Sequence, residues 1–249
     1  MRLYTAIFAT LFAVALTAGK PADAGVKRQV VVELYTSQGC SSCPPADALL
    51  SRLAERKDVL ALSLPITYWD MLGWKDTLAS EGNTRRQTAY AQTMGRGGIY
   101  TPQMIVDGVN DVVGSREAQV AAAITARTAD MRDVPVALSA SPEALHIAIG
   151  AGTERNGSAA TVWLFHILSS ASVHIVAGEN QGRSIVYRNV VRDVRAIDLW
   201  KGQPLSFDLP RRDLISAPHD AVAVLVQEGG YGRIIGAAYM SPQAYNVDR

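Results

Sequence analysis

Residues 30–45 read VVVELYTSQGCSSCPP, an apolar run followed by two closely spaced cysteines. The apolar run predicts a buried strand, which ends at the turn-forming residues 36–39. A helix should follow, because the two prolines fit a first helical turn and apolar residues recur at helical spacing through Arg56. Cys40 and Cys43 are therefore expected between a buried strand and the start of a helix.

The chain beyond this helix alternates strand and helix patterns. A second buried strand over residues 59–64 should run parallel to the first, because a helix of this length makes the crossover. The remaining patterns are a helix over 84–94, strands over 101–106 and 112–113, and a helix over 115–129. The predicted order is β-α-β-α-β-β-α, which describes an α/β domain over residues 28–130.

Asp133-Val134-Pro135 marks a change of pattern. Beyond it, strand-like stretches occur at residues 136–140, 145–149, 160–168, 172–176, 185–191, 221–226 and 234–239. Turn signals such as Asn156-Gly157 and Gly229-Gly230 separate these stretches, and no convincing helix pattern is found. We expect an all-β, sandwich-like domain over residues 134–243.

Composition and charge exclude several classes of protein. The chain has 249 residues, with 24 Lys plus Arg, 23 Asp plus Glu and a net charge of +1. Because it offers no cationic field for a phosphate backbone, we expect no nucleic-acid partner. Its two cysteines are too few for a disulfide-stapled mini-domain or a multi-cysteine zinc or iron–sulfur module. No cofactor is expected.

The first 24 residues have the form of a signal peptide. Arg2 precedes an apolar run from Leu3 to Ala18, shorter than the about 20 apolar residues of a membrane-spanning helix. Ala22-Asp23-Ala24 has the small-x-small form of a cleavage site, so we expect cleavage after Ala24. The mature protein should then be periplasmic or secreted, without stable membrane insertion. An uncleaved anchor helix is the alternative.

The Cys-x-x-Cys spacing at a helix start indicates thiol–disulfide chemistry. Free backbone N–H groups and the positive end of the helix stabilise a thiolate at the first cysteine. Cys40, whose sulfur is expected to meet solvent, is therefore the predicted nucleophile. Cys43, one turn further and more buried, is the predicted resolving thiol. A purely structural disulfide is the alternative, although so small a loop removes little entropy from the unfolded chain.

Thr101-Pro102 opens a predicted strand directly after the glycine-rich residues 95–98. Together with the pattern Tyr35-Thr36-x-x-Gly39-Cys40-x-x-Cys43, it resembles the thioredoxin superfamily. The resemblance implies a thioredoxin-like fold over residues 28–130 and a cis peptide bond before Pro102. It also implies that Pro102 shapes the substrate groove through the backbone of Thr101.

A longer match involves residues 32–47, Tyr68-Trp69-Asp70 and Gly73-Trp74-Lys75-Asp76. These residues resemble a family of secreted bacterial proteins known only as domain of unknown function twelve twenty-three. The resemblance covers essentially the whole mature chain, including Gly182-Arg183 and residues 187–192. Thr67 stands where relatives are expected to have an acidic residue, so no role is assigned to that position.

Two acidic side chains are candidates for positions near the dithiol. Glu33 lies in the apolar strand before the cysteines. It is either buried behind them, where it could shuttle the proton of Cys43, or it points to the outer face of the sheet. Asp47 lies on the same helix face as Cys43. We interpret Asp47 as a first-turn acid that favours the helix dipole.

The expected function is that of an exported thiol–disulfide oxidoreductase that exchanges disulfides with other exported proteins. A redox partner protein would exchange electrons with the dithiol. The second domain would present or dock these partners. The candidate catalytic residues are Cys40, Cys43, Thr101, Pro102 and Glu33.

Two other functions could use the same domain. A copper(I) carrier would bind the metal through the two thiolates, with Met71, Met94 or Met104 as a soft third ligand. A redox-inert binding module would keep its function after both cysteines are replaced by serine. Zinc would need two further ligands, and the four histidines have no ligand spacing.

Overall fold

The computed structural model describes residues 29–129, 134–153, 158–214 and 218–245. The strands are β1 (Val30–Thr36), β2 (Val59–Pro65), β3 (Gln103–Val106), β4 (Asn110–Val113), β5 (Val136–Ala140), β6 (Ala144–Ile149), β7 (Ala160–His174), β8 (Ser184–Trp200), β9 (Leu205–Pro210), β10 (Ala221–Glu228) and β11 (Ile234–Met240). The helices are α1 (Pro44–Leu53), α2 (Glu81–Thr93), α3 (Glu117–Ala129) and α4 (Pro242–Tyr245), with short 3-10 helices at Asp70–Leu72 and Arg211–Leu214. None of the helices in the described residues is long and apolar enough to cross a bilayer. The predicted signal peptide, residues 1–24, lies outside the described residues.

The first segment has the predicted element order. β1, α1, β2, α2, β3, β4 and α3 follow one another, with a 3-10 helix before α2. β2 lies parallel to β1, with Val59 opposite Val30, whereas β3 is antiparallel to β1 and β4 is antiparallel to β3. All seven residues of β1 are buried, because both faces of this part of the sheet are covered.

The two faces of β1 meet different layers. Alternate residues of β1 pack with α1 and α3 in one apolar cluster, which includes Val32, Leu34, Leu50 and Ile124. The residues between them face α2, where the rings of Tyr35 and Tyr90 meet edge to face with centroids 6.4 Å apart. The direction of a β1 side chain therefore decides whether it approaches the helix that follows the cysteines.

The second segment extends the same sheet. β8 lies parallel to β2, with Val190 opposite Ser63, and the strand order of the large sheet is β11-β10-β7-β8-β2-β1-β3-β4. The two predicted domains, residues 28–130 and 134–243, thus contribute strands to one continuous eight-stranded sheet. Alternation of apolar residues predicts that a strand exists, but it does not show which distant strand pairs with it.

A smaller antiparallel sheet packs on one end of the large one. β5, β6 and β9 form this sheet, and its Ile147 and Ile149 share an apolar cluster with Val162 and Val224 of the large sheet. Two sheets thus lie face to face in the second segment, as in a sandwich. The whole is a mixed α/β fold with a large mixed sheet and a second small sheet.

A buried ion pair of the first segment is bonded to a strand of the second. Arg86 of α2 donates from Nε to Glu33 Oε1 at 2.6 Å, and its Nη2 donates to Gln227 Oε1 of β10 at 2.9 Å. The hydroxyl of Tyr90 donates to the same Glu33 carboxylate. The side chains of Arg86 and Glu33 are 2% and 0% exposed, so both charges are removed from water.

Aromatic rings from the second segment surround the Arg86 guanidinium. Its Cζ lies 5.0 Å from the ring centroid of Phe165, 5.3 Å from that of Trp163 and 5.7 Å from that of Tyr231. Burial disfavours the guanidinium charge, but Glu33, Tyr90 and Tyr35 together outweigh this effect, so the pKa of Arg86 lies above its ordinary value. Arg86 is therefore a charged residue whose surroundings come from both segments.

Glu33→Gln should destabilise the protein strongly. The substitution keeps the shape of the side chain but leaves the Arg86 charge buried without its counter-charge, which typically costs about 3–5 kcal/mol. Urea unfolding of the oxidised protein measures the loss. Glu117→Gln is the matched control, because the Arg52–Glu117 pair is exposed and such pairs contribute about 0–1 kcal/mol. Equal losses in the two variants would contradict a dominant role for the buried pair.

Candidate functional site

The two cysteines lie in the loop between β1 and α1 and form a disulfide. Their Cα atoms are 5.4 Å apart, and the backbone N–H of Cys43 donates to the carbonyl of Cys40 at 3.1 Å. Cys43 is the N-cap residue of α1, which begins at Pro44, and prolines are tolerated there because first-turn N–H groups have no intrahelical partner. Cys43 thus lies immediately before the helix, and not one turn inside it as the sequence predicts.

The disulfide is covered, which corrects the expectation that the Cys40 sulfur meets solvent. Cys40 is 1% exposed and Cys43 is 0% exposed. The two serines between them are exposed, and the Ser42 hydroxyl lies 3.3 Å from the Cys40 Sγ. A reagent in solution therefore reaches the serines first, and another part of the chain must shield the sulfurs.

One segment bound to the cysteine loop is the end of the β7–β8 hairpin, residues 175–183, which we call the cap. Asn180 is buried and its Nδ2 donates to the carbonyl oxygens of Gln38 at 2.9 Å and Cys40 at 2.8 Å. Glu179 accepts a hydrogen bond from the backbone N–H of Ser41 at 3.2 Å. The cap thus binds backbone groups on both sides of the first cysteine.

The loop between β2 and α2 holds the cysteine loop from another side. The Asp76 carboxylate accepts a hydrogen bond from the Gln38 backbone N–H at 2.8 Å. The indole of Trp74 donates to the Gln38 side-chain oxygen at 2.8 Å. A Cβ on Gly178 of the cap would lie 3.1 Å from the Trp74 Cβ, so the cap and this loop are in close contact.

The Thr101–Pro102 peptide bond is cis, as the sequence analysis predicts. Gly114 shows where this proline lies: a Cβ at that position would be 3.2 Å from the Ala46 Cβ and 3.3 Å from the Pro102 Cβ. Pro102 therefore lies close to the first turn of α1, with only the backbone of Gly114 between them.

Trp69 connects the proline to the cysteine loop. Its indole nitrogen donates to the Thr101 hydroxyl at 2.7 Å, and a Cβ on Gly39 would lie 3.3 Å from the Trp69 Cβ. The structure thus brings together four of the predicted site residues, which are Cys40, Cys43, Thr101 and Pro102.

Glu33, the fifth predicted site residue, is not part of this group. The neighbours of Glu33 in β1, Val32 and Leu34, pack toward α1, so Glu33 points to the opposite face and pairs with Arg86. Its carboxylate is buried, but on the α2 side of the sheet. The prediction of Glu33 as a proton shuttle for Cys43 is therefore wrong, because strand alternation turns it away from the dithiol.

The buried acid on the cysteine side is Asp47 of α1. Thr36 donates its hydroxyl to Asp47 Oδ1 at 2.7 Å, and Oδ2 has no hydrogen-bond partner among the described residues. Burial raises the pKa of Asp47 to about 7, against the opposing effect of the Thr36 hydrogen bond. Asp47 lies in the first turn of α1, as interpreted from the sequence, and its side chain is buried there.

Burial also raises the pKa of Asp76, to about 6, although three backbone N–H groups oppose the shift. Burial is the main cause that raises the pKa of the Tyr187 hydroxyl, and the nearby Asp47 and Asp76 raise it further. The neighbourhood of the disulfide therefore has acids that ionise near neutral pH and an aromatic hydroxyl that stays protonated.

The described residues hold no cluster of three or more His, Cys, Asp and Glu side chains suited to a metal ion. The methionines considered for copper(I) lie in different places. Met71 is 81% exposed, Met94 packs against the core on the α2 side, and Met104 is buried on the α1 side.

The cap residues Glu179 and Asn180 were not predicted as part of the site. They follow Gly178 in a turn between two strands, and such a turn gives no indication of which loop it contacts. The resemblance involving Gly182-Arg183 is the only signal in the sequence near them.

Residues 31–227 match the model of a family described as "Protein of unknown function (DUF1223)". The chain belongs to this DUF1223 family. The crystal structure of protein AGR_C_4864 from Agrobacterium tumefaciens is similar, with 33% sequence identity and a TM-score of 0.77, over 89% of this chain and 98% of that chain. HBP35 of Porphyromonas gingivalis has a related fold, with 13% identity and a TM-score of 0.58, over 86% of this chain and 75% of that chain. No curated protein matches the chain.

In this DUF1223 protein, Asp47→Asn should stabilise the fold at alkaline pH. Between pH 3.8 and about 7 the unfolded chain releases the Asp47 proton while the folded protein retains it, so the free energy of unfolding falls as the pH rises. Asparagine removes this loss, and its oxygen can still accept from Thr36. The variant should match the wild type near pH 4 and exceed it by roughly 2–4 kcal/mol near pH 8.

Urea unfolding of the oxidised proteins across this pH range measures the difference. Asp198→Asn is the matched control, because Asp198 is exposed. A difference between Asp47→Asn and wild type that stays constant from pH 4 to pH 8 would show that Asp47 ionises normally.

Proposed function

We propose that this protein is an exported thiol–disulfide oxidoreductase that uses the Cys40–Cys43 pair. The supporting observation is the disulfide at the start of α1, next to the cis Thr101–Pro102 bond. The order β2-β1-β3-β4, with α1 and α3 on one face, also supports a thioredoxin-like first segment. The predicted signal peptide supports a periplasmic or secreted location.

In the proposed reaction, a client thiolate attacks the Cys40 Sγ. A client–Cys40 disulfide forms, the Cys40–Cys43 bond breaks, and the electron pair leaves on the Cys43 sulfur, which takes up a proton. A second client thiolate then attacks the client sulfur and releases Cys40. The client loses two electrons and two protons overall, and the protein dithiol gains them.

We further propose that Asp47 exchanges the proton of Cys43. Its carboxyl is buried one helical turn beyond that cysteine, has one oxygen without a hydrogen-bond partner among the described residues, and has a pKa of about 7. A group with this pKa accepts and returns a proton readily near neutral pH. Pro102 and Thr101 would shape the groove in which the client lies, and exported proteins would be the clients.

The reduction potential of the pair should lie between about −180 and −300 mV. No cation stands between the cysteines, and the Glu179 carboxylate already occupies the Ser41 N–H, so the Cys40 thiolate has little stabilisation beyond the helix end. Titration of the mature protein against a glutathione redox series measures the potential. A value near −120 mV would match a strong oxidant, and a value well below −300 mV would indicate a structural disulfide.

Cys43→Ser should trap clients. Without the resolving thiol, the mixed disulfide at Cys40 should accumulate and be recovered from periplasmic extract under non-reducing conditions. Cys40→Ser is the matched control, because it retains one thiol but lacks the proposed nucleophile. If Cys43→Ser traps no more protein than Cys40→Ser, the proposed role of Cys40 is refuted, and copper(I) binding by the reduced pair becomes the next property to measure.

A further inference from the structure

The contacts between the cap and the cysteine loop are specific and buried. Asn180 is 1% exposed, and both N–H groups of its amide are used, one on the carbonyl of Gln38 and one on that of Cys40. Glu179 adds an acceptor for the Ser41 N–H. These three bonds fix the cap against the backbone on both sides of Cys40, whose buried sulfur an incoming thiolate must reach.

The same contacts are suited to release. The Asn180 Oδ1 is buried and has no hydrogen-bond partner among the described residues, so the closed cap leaves one acceptor unsatisfied. Opening would hydrate this oxygen, which would offset part of the free energy of the three hydrogen bonds that are lost. The tip of the cap also has hydrogen bonds of its own, which do not involve the cysteine loop. The Gln181 N–H donates to the Gly178 carbonyl, and the Gly182 N–H donates to the Ile175 carbonyl.

We infer that Asn180 is a specificity-determining residue that selects thiols by size, admitting small thiols to Cys40 and excluding folded proteins until the cap opens. This inference rests on the proposed exchange chemistry of the same site. In the step concerned, the thiolate bonds to the Cys40 Sγ, the bond to Cys43 breaks, and the Cys43 sulfur leaves with the electron pair and takes up the proton that Asp47 is proposed to supply. A small thiol needs only a narrow opening for in-line attack, whereas a folded protein needs the whole tip displaced.

The bound groups also indicate the form of a protein client. Asn180 donates to backbone carbonyls and Glu179 accepts from a backbone N–H, which are the bonds that an extended peptide makes with its own N–H and C=O groups. Once the cap is displaced, the backbone of residues 38–41 can pair with such a peptide. The protein clients favoured by this site are therefore extended segments next to a cysteine.

The experiment compares reduction of the disulfide by glutathione and by reduced thioredoxin. Freed thiols are alkylated and counted by mass in the wild type, in Asn180→Ala and in Ser172→Ala, an exposed position on the same hairpin. Wild type should react faster with glutathione than with thioredoxin at equal thiolate concentration. Asn180→Ala should raise the thioredoxin rate about tenfold and the glutathione rate clearly less, and Ser172→Ala should change neither.

Three results would overturn the inference. They are a wild-type preference for thioredoxin, unchanged rates in Asn180→Ala, and an equal rise for both thiols, which would indicate general loosening. If the thermal melt shows that Asn180→Ala does not fold, Glu179→Ala tests the inference in its place. Glu179→Ala should raise the rate of reduction by thioredoxin about twofold or more. An unchanged rate would refute the inference. Because alkylation removes the freed thiols irreversibly, the rates report access to the disulfide, whereas the redox titration and client trapping test the proposed function separately.

Discussion

The burial of the Arg86–Glu33 pair is the constraint on which the arrangement of the two segments depends. A guanidinium and a carboxylate removed from water are stable only together, because either charge alone would be left unsolvated and unpaired. Arg86 and Glu33 come from the first segment, whereas Gln227 and three of the surrounding rings come from the second. Separating the segments would expose the rings and remove the Gln227 contact while leaving the ion pair half enclosed.

This constraint acts on the dithiol through the shared sheet. β8 lies beside β2, and β2 lies beside β1, so the hairpin that ends in the cap has a fixed position relative to the loop after β1. The cap reaches Cys40 because the sheet positions the hairpin. The hydrogen bonds of the cap therefore need only to order its tip. A second segment tethered by a flexible linker could not keep Asn180 on two backbone carbonyls, because the entropy of ordering it would exceed what two bonds return.

The sequence predicts the local features of this molecule and misses those that depend on distant pairing. The strand before Cys40, the helix after Cys43 and the cis bond at Pro102 follow from apolar runs, proline positions and a stated resemblance. The direction of Glu33 depends on one residue of strand register, which an apolar run on both faces does not reveal. The cap is harder still, since Asn180 and Cys40 are far apart in the chain and nothing local at either residue indicates the other.

The acid near the dithiol is Asp47 and not Glu33, and this changes the chemistry expected of the site. Glu33 pairs with Arg86 on the α2 side of the sheet, away from the dithiol. Asp47 has a single hydroxyl as partner and a pKa of about 7, so it can be protonated or ionised in the range where thiols exchange. Burial raises the pKa of Asp47. When the cap opens as we infer, water entering this region would favour ionisation of Asp47, and access to Cys40 would then change together with the protonation of Asp47.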